Sequence, residues 1–133
     1  MKPIKLYLKN NYNLYMNNYK ELKVWQKSME LVEIVYKLTS TFPKEEKYGL
    51  TSQIQRSSIS IPSNIAEGAG RNSDKEFRNF LGVANGSSNE LSTQLILAIR
   101  IGYTNESDME YIFNLLSEIQ KMIFSLIKKF SNL

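Results

Sequence analysis

The chain has 133 residues, 42% of them apolar and 23% charged, with no cysteine and no histidine, which is ordinary for a single domain large enough to bury a core. Without histidine, Ser-His-Asp and Cys-His arrangements are excluded, as are the Glu-x-x-His sites of di-iron bundles, and a zinc site would have to rest on carboxylates alone. The net charge of +4 sits entirely in residues 1–23, where five lysines face one glutamate; the twelve basic and twelve acidic residues from Val24 onward cancel, so the folded body is expected to show no global basic character.

No apolar run approaches the ~18 residues of a membrane span, and nothing resembles the hydrophobic stretch of a signal peptide. The lack of cysteine rules out a disulfide framework and is compatible with a cytoplasmic location. Residues 1–19 are rich in Lys, Asn and Tyr and have no helical period. They are expected to form a poorly ordered N-terminal extension, ahead of one domain over residues 20–133. Two accounts of the extension stand: a basic, aromatic arm that touches nucleic acid, or upstream sequence translated before a second start at Met16.

From Val24 to Phe42 the apolar residues fit a helix, which Pro43 stops. A short polar loop runs through Lys47. A second helix is expected from Tyr48 or Leu50 to about Ala69, with Ile54, Ile61 and Ile65 on one side. Pro62 lies inside it, where proline costs ~3 kcal/mol by removing a backbone bond and clashing with the Ser58 carbonyl. Gly68 and Gly70 are expected to end this helix through a left-handed cap.

Ser73-Asp74-Lys75-Glu76 reads as a capping box that opens a third helix, Asp74 to about Ile101. Gly82, Gly86, Ser87 and Ser88 place small residues in its middle, which invites a close neighbour. Gly102 ends it, and Asn105 or Ser107 caps a fourth helix whose apolar residues step by three and four from Met109 to Phe130. Four helical segments with short connections predict an all-α, antiparallel, up-down-up-down four-helix bundle. The apolar face of the fourth helix spans an arc of roughly 200°, more than the 100° or so that a bundle helix buries. That excess predicts self-association into a homo-oligomer.

Leu22-Lys23-Val24-Trp25-Gln26-Lys27, then Tyr48-Gly49-Leu50-Thr51-Ser52-Gln53-Ile54 and Ser60 to Arg71, resemble the four-helix-bundle family of 23S rRNA intervening-sequence proteins. Ser73-Asp74-Lys75-Glu76-Phe77, Gly86-Ser87, Glu90-Leu91, Thr93-Gln94-Leu95 and Gly102-Tyr103 continue the likeness in order, from about residue 20 to about residue 131. The resemblance implies a bundle that assembles as a homopentameric ring. It also implies kinship with the accessory proteins of diversity-generating retroelements, whose pentamers bind nucleic acid and a reverse transcriptase. It brings no catalytic residues. Two departures reduce positive charge: Gln55 with Arg56 stands where the pattern often has two basic residues, and Asn85 where arginine is common.

The polar residues that stand out are Gln53, Arg56, Asn64, Glu67 and Arg71 on the second helix with Glu90, Thr93 and Gln94 on the third. Glu67 and Arg71 are spaced to pair. Asn64 follows Pro62 closely enough to serve backbone groups that the proline leaves unpaired. Glu90 is placed to accept from Arg56 or Gln53. Such a set either holds the interrupted helix and fixes register, or lines a pore or an RNA-facing surface.

Nothing here supplies a nucleophile with its base, so no catalytic, cofactor-binding or metal-binding residue is assigned and the protein is expected not to be an enzyme. The leading expectation is a self-assembling bundle associated with ribosomal RNA or other nucleic acid, RNA or DNA. The alternative is an adaptor that binds a reverse transcriptase or another protein partner. A carboxylate-and-metal hydrolase is the third and least supported reading, and no membrane partner is expected.

Overall fold

A computed structural model of the chain describes residues 18–131. Four helices account for most of them: α1, Lys23–Thr39; α2, Leu50–Ala69; α3, Asp74–Arg100; and α4, Glu106–Lys129. Short 3-10 turns, Tyr19–Glu21 and Lys44–Glu46, precede α1 and α2. Among the described residues there is no strand. Each helix packs against its neighbours in the chain, and α1 closes the arrangement against α4.

The helix boundaries follow from local chemistry. Ser73 accepts from the Glu76 amide at 3.2 Å and Asn105 from the Asp108 amide at 2.8 Å, so each fills an amide that the first turn of its helix leaves open. Gly102 ends α3 with φ +85°, a left-handed conformation that glycine adopts without strain. Of the extension expected over residues 1–19, residues 1–17 lie outside the described residues. Asn18 and Tyr19 already belong to the fold: Asn18 caps the first 3-10 turn, and the Tyr19 ring meets Trp25 edge-on at 5.2 Å.

Three expectations need correction. The helix expected to reach Phe42 ends at Thr39, because the Thr41 and Phe42 amides turn back onto Leu38 and Thr39. This tighter turn drops Phe42 into the core, 5.5 Å from the Tyr103 ring. Gly70 is not left-handed; its φ is −85°. Gly68 is required for a different reason: a Cβ there would stand 2.6 Å from the Cβ of Phe80 and 3.0 Å from Cδ1 of Phe77. Its missing side chain lets α2 and α3 come together.

The core is a two-faced pattern repeated on all four helices. Leu31 and Val35, Ile54, Ile61 and Ile65, Leu81, Leu91 and Leu95, and Met109, Ile119 and Ile123 are all fully buried. Each such side chain contributes ~1.5–3 kcal/mol relative to exposure. Pro62 is buried among them and α2 continues through it without a break in assignment. The proline is thus tolerated in the helix interior, its ring adding to the packed face.

Glu46 ties two loops together at one end. One carboxylate oxygen accepts from the Leu50 amide at the start of α2 (3.1 Å), the other from the Tyr103 hydroxyl beyond α3 (2.6 Å). The Tyr103 bond first, then the Leu50 amide, hold the Glu46 carboxyl below its ordinary pKa, since both favour the charged form. The unfolded chain therefore binds this proton more readily than the folded one. The stabilisation is complete above the ordinary carboxylate range and is lost as pH falls through the lower, folded-state titration. Tyr103→Phe is expected to melt below the parent at neutral pH, with the gap closing on acidification beneath that range; a gap independent of pH from 7 to 3 in thermal melts would contradict this role.

Replacing Gly68 with alanine is expected to cost ~1–3 kcal/mol by overpacking, read as a lower midpoint in urea unfolding with an unchanged slope.

Candidate functional site: a polar seam between α2 and α3

The face of α2 that meets α3 carries Ser57, Ser60 and Asn64, and the opposing face of α3 carries Ser87 and Gln94. Ser57 and Asn64 are seven residues apart, as are Ser87 and Gln94, so each pair lies on one side of its helix two turns apart. The small side chains let the backbones approach, and their hydroxyls are then removed from water and need partners.

They find them across the seam. Ser57 Oγ donates to Gln94 Oε1 at 2.7 Å, and the Ser60 and Ser87 hydroxyls lie 2.7 Å apart. Asn64 Nδ2 donates to Ser60 Oγ at 3.0 Å and to the Ser60 carbonyl at 2.8 Å. On the far side of α3, Gln120 of α4 donates to Ser88 Oγ (2.9 Å) and Asn89 Oδ1 (3.0 Å). Asn85 is less well served: its Oδ1 is buried without a partner among the described residues, as is Thr51 Oγ1.

Of the residues singled out in the sequence, only Asn64 and Gln94 enter the seam. Asn64 serves the carbonyl of Ser60, not that of Ser58, which Pro62 orphans. Arg56 Nη2 donates to Gln53 Oε1 at 3.1 Å on the exposed side of α2, so the bond expected from Glu90 is not made; Glu90 is exposed on α3. Glu67 and Arg71 pair at 2.9 Å as their spacing predicts, and the Arg71 guanidinium lies 4.9 Å from the Phe80 ring. Both are about half exposed, which makes the pair worth little.

Ser57, Ser60 and Gln120 carry no mark in the sequence as seam residues, and Ser87 and Ser88 stand out there only as small residues that invite a close neighbour. The seven-residue spacings on both helices were the available signal. Chemically the seam contains hydroxyls and amides only, with no ionisable group, so it has no side chain suited to accept or release a proton near neutral pH. Among the described residues, no three acidic, histidine or cysteine side chains gather as metal ligands would.

The sequence profile of a family described as 23S rRNA-intervening sequence protein matches residues 20–125. The chain belongs to that family. None of the curated proteins matches it. Among solved structures, it is similar to a protein of unknown function from the S23 ribosomal protein family of Bacteroides thetaiotaomicron VPI-5482. The identity is 33% and the TM-score 0.71, over 79% of this chain and 98% of that one. All seam residues fall inside the span matched by the 23S rRNA-intervening sequence protein profile. The family likeness therefore spans the α2–α3 contact.

Ser57→Ala is expected to cost about 1 kcal/mol by leaving Gln94 without its donor, whereas Arg71→Gln at the exposed pair is expected to stay within ~0.5 kcal/mol of the parent. Equal losses for the two in urea unfolding would remove the distinction between seam and surface.

Proposed function

We propose that this 23S rRNA-intervening sequence protein is a non-enzymatic, cytoplasmic assembly module. Its antiparallel up-down-up-down bundles associate as a closed ring, a homopentamer by resemblance to the family, and the ring associates with RNA. The observation that carries the assembly is apolar surface left on two different faces of one bundle. On the outer side of α3, Val83, Leu97 and Ile101 are each about half exposed. A Cβ added at Gly82 or Gly86 beside them would meet nothing within 4 Å. Whereas Ser87 and Ser88 meet α2 and α4, these two glycines have no close neighbour among the described residues. A second set, Met29 and Tyr36 of α1 with Ile59 of α2, lies on another side and is also substantially exposed.

Two unlike patches on one chain suit head-to-tail contacts, which close into rings, better than the self-complementary contact of a two-fold dimer. Apolar patches of this kind on a soluble chain mark interaction surfaces. The RNA part of the reading is carried over from the description of the family and from the S23 ribosomal protein family of the solved relative. The seam supports the assembly indirectly, by fixing α2 against α3 and so the relative position of the two patches.

Native mass measurement is expected to give a single closed oligomer of five copies. Leu97→Glu with Val83→Glu is expected to shift the population to monomer while leaving the helical circular dichroism intact. A parent protein that stays monomeric at high micromolar concentration would overturn the ring.

A further inference from the structure

Read along the chain, the charges of the folded body cancel; across the fold they do not. Lys27 meets Glu118 at 3.0 Å, Arg78 donates to the Phe130 carbonyl, and the Phe77 and Phe130 rings lie 5.0 Å apart. These contacts gather residues 18–28, 61–87 and 117–131 into one half of the bundle. That half carries nine lysines and arginines against five carboxylates. The other half, residues 29–60 and 88–116, carries five against eight.

Two of the nine cations are paired with carboxylates, Lys27 with Glu118 and Arg71 with Glu67, and Arg78 is held by the Phe130 carbonyl. Lys23 and Lys121, both exposed, flank a groove of about 390 Å³ between the start of α1 and the end of α4, with Leu22, Val24, Met122 and Leu126 on its walls. That groove shares Leu22 and Leu126 with a second, of about 720 Å³, to which Arg71 and Lys129 contribute. Lys129 also lies 5.7 Å from the Phe130 ring. Cations therefore alternate with apolar and aromatic surface across this end. Asn18 lines the second groove.

We infer that the half of the bundle bearing Lys23, Lys121 and Lys129 is the face that takes single-stranded RNA. This deepens the proposed function and rests on its RNA association. A row of cations spaced by apolar surface matches a phosphate backbone with unpaired bases between the charges. An acidic protein would use the charges and leave the grooves idle.

The test uses the full chain and a fluorescein-labelled 20-nucleotide single-stranded RNA, with polyglutamate as competitor. Lys23→Gln, Lys121→Gln and Lys129→Gln together are expected to weaken binding at least tenfold and to reduce the salt slope by about 2, three phosphate contacts at ~0.7 each. Lys37→Gln, Lys44→Gln and Lys47→Gln, equal in charge change but in the other half, are expected to leave affinity within twofold. Both triples replace exposed side chains, and thermal melting confirms that each folds.

Equal losses from the two triples, or none from the first, would overturn this face while leaving RNA binding standing. Polyglutamate that displaces the RNA at equal charge concentration would overturn RNA as the occupant in favour of an acidic protein. No binding by the parent chain, or binding indifferent to salt, would overturn the face and the proposed association together.

Discussion

The approach of α2 to α3 is limited by one missing side chain. With glycine at position 68 the helices meet where any Cβ would collide with Phe80, and this pair packs more extensively than any other in the bundle. Close approach determines what else the seam can hold. Serines fit where larger residues would not, and once buried they must bond to each other or to amides on the facing helix. Steric fit and hydrogen bonding are therefore one constraint: the glycine sets the distance, and the hydroxyls are at the right distance because of it.

That constraint also fixes register. An apolar seam of branched side chains could slide by a turn at modest cost. A seam in which Ser57 must meet Gln94 and Ser60 must meet Ser87 loses its bonds on any slip, leaving buried groups unpaired at ~1–3 kcal/mol each. The polar residues thus do in the monomer what a buried asparagine does in a coiled coil: they select one alignment among several of similar apolar burial. With α2 and α3 locked, the outer side of α3 and the α1–α2 edge hold a constant relation, which a repeating contact between copies requires.

The helices were legible because their apolar residues recur at helical spacing and because Ser73, Asn105 and Gly102 announce ends in recognised ways. The end of α1 was not. Phe42 is apolar and continues the pattern, yet it reaches the core from a turn, and periodicity does not distinguish the two routes. Gly68 read as a stop signal because a glycine near a helix end usually is one; its true cause is a residue twelve positions away on the next helix. Arg56 looked able to reach Glu90 but found Gln53 closer on its own helix. The seam was half legible: Asn64 and Gln94 drew attention as amides, while the serines that join them resembled any small polar residue. The charge gradient was hidden altogether, because one half of the bundle is assembled from three separated stretches and the other from two, and no window along the chain reports either sum.

The gradient and the ring bear on each other. Rotation about a single axis leaves direction along that axis unchanged, so the component of each bundle's charge gradient that lies along it adds from copy to copy. A cyclic assembly of these chains then has one rim more basic than any single copy and an opposite rim more acidic. A dihedral assembly would cancel the same gradients by placing opposite ends together. For a polyanion that touches several copies, binding to the first raises the effective concentration of phosphate at the next, so weak contacts at each copy's three lysines sum to an affinity that no isolated bundle would reach. In the proposed ring, self-association would contribute affinity that the lone bundle lacks, and the apolar patches and the lysines, though on different surfaces, would serve one interaction.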